Sequence, residues 1–170
     1  MLAIGTRPAF SDSDPTQDVV ARLCDIVIPD TDTPGARAAG VPAFLRFALS
    51  HDLFGGNAGT LAAFIGHLDL RAGGGGFLAA DPATQIAMVT AIDHASFARE
   101  PPPPGISAPV DTESQNLWRI VKSGIVTGFY TSESGGSRTL TYDLVPGRYD
   151  ADIPLHSEAY LSNFWIENLF

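Results

Sequence analysis

The side chains able to carry chemistry in this 170-residue chain are few and scattered. Its single cysteine, Cys24, lies in the largely apolar run Leu23–Ile28, with no histidine nearby in sequence to take its proton. Lacking a second cysteine, it closes no internal disulfide and begins no metal or redox motif. The expectation is a buried thiol that packs as a small hydrophobe. The four histidines, His51, His67, His94 and His156, stand far apart. None has a second histidine at the i+3 or i+4 spacing of a metal-binding helix, and neighbouring Asp52, Asp69 and Asp93 project from other faces. They read as ordinary core or surface residues.

Asp30-x-Asp32 invites comparison with a calcium loop, whose pattern asks for Asx at the fifth position, Gly at the sixth and Glu at the twelfth. Gly35 fits, but Pro34 occupies the fifth position and Val41 the twelfth. A turn whose carboxylates cap backbone N–H groups is the better reading. Gly73–Gly76 is no phosphate cradle, because no Gly-Lys-Ser/Thr follows it and no strand leads into it; it reads as a flexible linker. No Gly-x-Ser-x-Gly nucleophile elbow occurs. The sequence therefore nominates no catalytic, cofactor-binding or metal-ligating residue, and the chain alone is expected to hold no flavin, haem or metal. An independent small hydrolase, working through paired carboxylates or Cys24, is the remote alternative.

The elements that would position any site are helical. Asp14-Pro15-Thr16-Gln17 supplies an N-cap and a proline at the first helical position. Val19, Val20, Leu23, Ile26 and Val27 then follow on one face until Pro29 stops the helix. Asp30–Gly35 is dense in turn formers. Ala36–Ala39 makes one helical turn closed by Gly40, and Val41-Pro42 opens a second helix facing inward with Phe44, Leu45, Ala48 and Leu49. A third, Thr60–Leu70, turns Leu61, Phe64, Ile65 and Leu68 to the core; a fourth, capped by Asp81-Pro82, uses Ile86, Val89, Ile92 and Phe97.

Pro101–Pro104 and Pro109 form a stiff connector. Thr112-Glu-Ser-Gln115 has the form of a capping box for a fifth helix carrying Leu117, Ile120, Val121, Ile125 and Phe129. Gly124 and Gly128 open that helix to close approach by another segment. Beyond Tyr130 the pattern becomes a polar turn, a short extended piece over Arg138–Tyr142, and an aromatic end, Tyr160–Phe170. The fold expected is mainly α, an irregular cluster of about five helices with a long, poorly regular C-terminal segment. Residues 14–170 make one domain, whose C-terminal part wraps a partner, and residues 1–13 are a signal-peptide remnant or a flexible arm.

Composition narrows the function classes. Ten basic against nineteen acidic side chains give a net charge of −9, which repels nucleic-acid phosphates and anionic lipid heads. No stretch approaches the ~18 continuous apolar residues of a membrane span. The apolar share is 45% with a mean hydropathy of +0.10. Adding the 17 glycines and leaving out the four tyrosines raises it to about 53%, slightly above the usual ~45–50%. Such a surplus is expected of a chain whose surface is covered by another protein. Met1–Ser11 is similar to the tail of a signal peptide, with Leu2–Ile4 ending its apolar region and Ala9-Phe10-Ser11 as a small-x-small cleavage site.

The order of motifs is more specific than any one of them. Cys24-Asp-Ile-Val-Ile-Pro-Asp-Thr-Asp-Thr-Pro-Gly-Ala-Arg-Ala-Ala-Gly-Val-Pro-Ala-Phe44 resembles the opening signature of the gluconate 2-dehydrogenase subunit 3 family. Phe129-Tyr-Thr-Ser-Glu133, followed by Leu140-Thr-Tyr142 and Val145-Pro-Gly147, is similar to the family's later landmark. The likeness runs from about Val19 to Tyr149. It implies a non-catalytic small subunit, free of cofactor, that pairs with a large FAD-binding flavoprotein of the glucose–methanol–choline type oxidising a sugar or sugar acid. A c-type cytochrome often carries the electrons onward. Family members often bear a twin-arginine export signal, which implies a periplasmic complex, although no Arg-Arg pair stands here.

The family's motif residues have no catalytic role to carry over. Thr31–Gly35 and Thr131–Glu133 either build turns within the chain or touch the partner. The partner-facing residues expected are Thr31, Asp32, Thr33, Thr131, Ser132, Tyr142, Tyr149, Phe164, Trp165 and Phe170. Stabilisation of the flavoprotein, with help in its export, is the function expected; a transient secretion chaperone or binding module is the alternative.

Overall fold

The computed structural model describes residues 15–97 and 110–139. They form five α-helices, α1 (Pro15–Val27), α2 (Val41–Ser50), α3 (Thr60–Ala72), α4 (Pro82–Phe97) and α5 (Thr112–Tyr130). Short 3₁₀ turns at Leu53–Gly55 and Phe77–Ala79 and a π-helical turn at Gly135–Thr139 complete them, and there is no strand among the described residues. The expected mainly α cluster is the fold observed.

Helix α5 is the hub, packing against α2, α3 and α4. Its inward residues Trp118, Val121, Ile125 and Phe129 meet Leu23 of α1, Leu45 and Leu49 of α2, Phe64 and Leu68 of α3 and Ile92 of α4 in one core. Each large apolar side chain removed from water contributes about 1.5–3 kcal/mol, so this core outweighs local helix propensity. The glycines that open α5 receive α2. A Cβ on Gly124 would lie 2.3 Å from Leu45 Cδ1, and one on Gly128 would lie 2.5 Å from Phe44 Cδ1.

Several sequence expectations are corrected. Asp111, not Thr112, caps α5: its backbone is extended (φ −65°, ψ 154°), and its carboxylate accepts from the Ser114 N–H at 2.7 Å and the Ser114 hydroxyl at 2.6 Å. Gln115 donates to the Val110 carbonyl at 2.9 Å, so the cap starts one residue earlier than the Thr-x-x-Gln pattern suggests. Trp118, absent from the expected inward face, is fully buried, stacked on Phe64 at 5.5 Å with its indole N–H on Asp93 at 2.7 Å.

On α4, Ile86 and Phe97 are about half exposed instead of inward. Gln85 takes the buried place because its amide ties the Phe77 and Ala80 carbonyls, both at 3.1 Å. Phe97 instead lies under the Lys122 ammonium, 4.6 Å from its ring centre. Gly73–Gly76 is a closed turn and no flexible linker. Gly73, Gly75 and Gly76 hold φ of +77°, +101° and +78°, and Asp69 bridges the turn by accepting from the Phe77 N–H at 2.7 Å. Arg138 and Thr139, read as extended, belong to the π-helical turn. The N-cap expected at Asp14 and everything beyond Thr139 lie outside the described residues.

Candidate functional site

The family-like stretch forms one corner of the molecule. Helix α1 runs into Ile28 through an N–H to the Cys24 carbonyl at 2.9 Å, and Pro29 then breaks it. The chain folds straight back: the Ala36 N–H reaches the Ile28 carbonyl at 2.9 Å, and the Gly35 N–H donates to the Asp30 carboxylate at 2.5 Å. Gly35 presses so closely on the preceding turn that a Cβ there would fall 2.4 Å from Ile28 O and 2.5 Å from Pro29 C. Only glycine fits. The turn Ala36–Gly40 closes as Val41 donates to the Ala36 carbonyl at 3.1 Å, and Gly40, at φ +80°, hands the chain to α2. Ala36 and Val41 are fully buried beside Cys24 in the core.

This scaffold fixes a protruding tip. Thr31 and Asp32 are exposed and Thr33 half-buried. The Thr31 N–H donates to the Thr33 carbonyl at 3.0 Å, and the Thr31 hydroxyl donates to Asp32 at 3.0 Å. The two readings of Thr31–Gly35 therefore divide by residue. Asp30 and Gly35 build the turn; the outer faces of Thr31 and Asp32 are left to solvent. Asp30 caps the Gly35 N–H as the turn-capping reading has it, whereas Asp32 accepts the Thr31 hydroxyl.

At the other landmark, Thr131 and Ser132 end α5. The Thr131 hydroxyl donates to the Thr127 carbonyl at 2.7 Å, and the Ser132 hydroxyl to the Phe129 carbonyl at 2.6 Å. Ser132 then receives the Gly135 N–H on its hydroxyl at 3.1 Å and the Gly136 N–H on its carbonyl at 2.8 Å. Both hydroxyls are engaged within their own turn, so their first role is to shape the exit from α5. Tyr142, Tyr149, Phe164, Trp165 and Phe170 lie outside the described residues.

The groups with intrinsic reactivity are held in quiet surroundings. Cys24 is fully buried, and burial, with Asp25 adding to it against Arg37, pushes its thiol up to about 12. Such a thiol is no nucleophile at neutral pH. Arg37 pairs with Asp25 at 3.1 Å on the surface above it. The His51 ring lies 4.2 Å from that of Phe47, tilted by 36°, with Nδ1 2.9 Å from the Phe47 carbonyl.

His67 has what sequence spacing did not show, two carboxylates brought by the start of α5: Asp111 lies 3.7 Å from Nδ1 and Glu113 3.6 Å from Nε2. The contact joins α3 to a helix far along the chain, and no local pattern encodes it. The carboxylates sit against opposite ring nitrogens, so they do not converge on one ion, and no group of three ligating side chains suited to a metal occurs among the described residues. Hydrogen bonds from the Ser114 hydroxyl, then from its N–H, hold the Asp111 carboxyl below its usual range, with His67 a smaller contribution.

A second surface feature lies between the start of α1, the outer side of α2 and the start of α3. It is a groove of about 510 Å³ lined by Ala43, Phe47, Leu49, Ala58, Leu61 and Ala62, with Thr16, Gln17, Arg46 and Ser50 as its polar members. Among the described residues, no helix is long and apolar enough to cross a membrane.

No curated protein and no solved structure matches the chain. A family model does, over residues 14–147, taking in the Asp30–Gly35 turn, the whole helical core and the Thr131–Ser132 exit. That match, over well more than half of the chain, shows that it belongs to the gluconate 2-dehydrogenase subunit 3 family.

Proposed function

We propose that the chain is the non-catalytic small subunit of an exported sugar or sugar-acid dehydrogenase, stabilising a large FAD-binding flavoprotein of the glucose–methanol–choline type. The observation that carries this reading is membership, over most of the chain's length, in a family described as a dehydrogenase subunit. FAD belongs to the large subunit, and a c-type cytochrome is the electron acceptor that fits such a complex. The periplasm is its compartment, reached by the twin-arginine route with the flavoprotein carried alongside.

The geometry supports a scaffold role. Thr31 and Asp32 stand at the tip of a turn anchored by backbone contacts, a pre-ordered contact point that costs little entropy on binding. Thr131 and Ser132 direct the chain out of α5 toward the segment that holds Tyr142, Tyr149, Phe164, Trp165 and Phe170. Aromatic anchors of that kind dominate interface energetics.

Co-production of the two subunits, followed by size-exclusion chromatography and a dehydrogenase assay with an artificial electron acceptor, tests the reading. A lasting complex whose flavoprotein loses stability without the small subunit is the expected result. A flavoprotein that keeps full activity and stability alone, after a passing association during secretion, would mark a chaperone instead. Trp165→Ala is expected to weaken the complex while leaving the isolated chain's melting unchanged. If that variant unfolds in isolation, the aromatic end belongs to the chain's own core.

A further inference from the structure

The charges of this acidic chain are unevenly spread. Between Val41 and Leu68 the only carboxylate is Asp52 and the only Lys or Arg is Arg46, although the chain carries 19 acidic residues in all. That stretch supplies α2, the turn after it and most of α3, and together with Thr16 and Gln17 of α1 it forms the groove of about 510 Å³. Its floor is Leu61 with Ala43, Ala58 and Ala62, and its wall is Phe47, a residue that is 60% exposed. The wall is held in place: the Phe47 ring lies on His51, and His51 reaches back to the Phe47 carbonyl at 2.9 Å. Among the described residues, no carboxylate lines the groove.

Burying an unpaired carboxylate opposes association strongly, and the central parts of protein interfaces are accordingly poor in acidic residues and rich in aromatic residues and Arg. In a chain of net charge −9 the α2–α3 face meets those conditions. We propose that this groove seats an aliphatic or aromatic side chain, carried on an uncharged segment of the large dehydrogenase subunit, an assignment that rests on the reading of the chain as part of that complex. The alanine floor leaves room for the incoming side chain, and Phe47 packs along its flank. Arg46, whose Nη1 donates to Gln17 at 3.3 Å, also lines the groove and offers its aliphatic stem to the contact. A second copy of the chain is the poorer occupant, because its own protruding ring, Phe47, is already laid against His51 as part of the wall.

Full-length chain and the flavoprotein large subunit, produced together and then titrated against each other, provide the test. Ala62 is exposed, so Ala62→Glu places a carboxylate in the groove without touching the core. It is expected to weaken the complex by at least about tenfold, with the melting temperature of the isolated chain unchanged. Ile86→Glu, on the exposed side of α4, is expected to bind as the wild type does. Wild-type binding by Ala62→Glu would overturn the assignment while leaving the complex standing, as would loss of binding in Ile86→Glu alone. A lowered melting temperature for isolated Ala62→Glu would show that the chain fills its own groove. Self-association of the wild type, abolished by Ala62→Glu, would assign the groove to a second copy; both results overturn the proposal. Absence of any wild-type complex would overturn the functional reading itself.

Discussion

Gly35→Ala tests the corner on which the family-like stretch is built. The new methyl would arrive 2.4 Å from Ile28 O, 2.5 Å from Pro29 C and 2.7 Å from Asp30 N. All three are backbone atoms, so no side-chain rotation relieves the clash. Relief requires moving the Asp30–Gly35 turn away from the end of α1, which breaks the Gly35–Asp30 and Ala36–Ile28 hydrogen bonds. Overpacking typically costs about 1–3 kcal/mol and each lost hydrogen bond about 0.5–1.5 kcal/mol. Because the two share one displacement, their sum is bounded at roughly 2–4 kcal/mol. In a chain of this size that lowers the melting temperature by roughly 5–15 °C.

Gly74→Ala is the matched control. Nothing lies within 4 Å of a Cβ at Gly74, and its φ is outside the left-handed region. Its expected change is zero to a slight gain of about 0.4–1 kcal/mol, through a less flexible unfolded chain. Thermal melts of both variants by circular dichroism decide the matter. If Gly35→Ala melts within about a degree of Gly74→Ala, the close backbone approach is wrong, and with it the account of why this turn is rigid.

Three further outcomes follow from the described contacts. Asp111→Ala is expected to lose about 0.5–2 kcal/mol in urea unfolding, whereas Thr112→Ala, at an exposed first-turn position, stays within about 0.5 kcal/mol of wild type; the reverse order would return the cap to Thr112. The Asp111 and Asp81 carboxyls lie below their ordinary range, chiefly through side-chain hydrogen bonds from Ser114 and Thr84. Their folded pKa values are depressed, so their contribution is present above the unfolded value of about 4 and is lost as pH falls through the folded value. Melts below about pH 4 should therefore decline less steeply for Asp111→Asn than for wild type, and equal slopes would refute the link. Cys24, with its thiol pushed up to about 12 by burial, should resist alkylation at pH 8 in the native chain and react once denaturant is added; prompt native labelling would contradict its place in the core.

The sequence by itself determined the helical class, the helix count and most of the inward faces, because hydrophobic periodicity and Pro and Gly stops are local signals. Val19, Val20 and Leu23 on α1, Leu61, Phe64 and Leu68 on α3, and Val121, Ile125 and Phe129 on α5 all pack where their spacing places them. It also determined the family, since the order Ile-Pro, Thr-Asp-Thr-Pro-Gly, Gly-Val-Pro survives as a string of residue identities. Tertiary structure decided what those identities do. Gly35 is obligatory because the chain folds back onto Ile28 O, and the small residues of α5 are there because Leu45 and Phe44 come from α2. Gln85 displaces Ile86 from the interior because two carbonyls of the preceding turn need a donor. His67 acquires Asp111 and Glu113 from a helix that no spacing rule connects to it. The groove between α2 and α3 is likewise invisible in one dimension. It exists because small side chains from two helices leave a gap that packing on their inner faces does not close, and only the assembled fold brings their outer faces together.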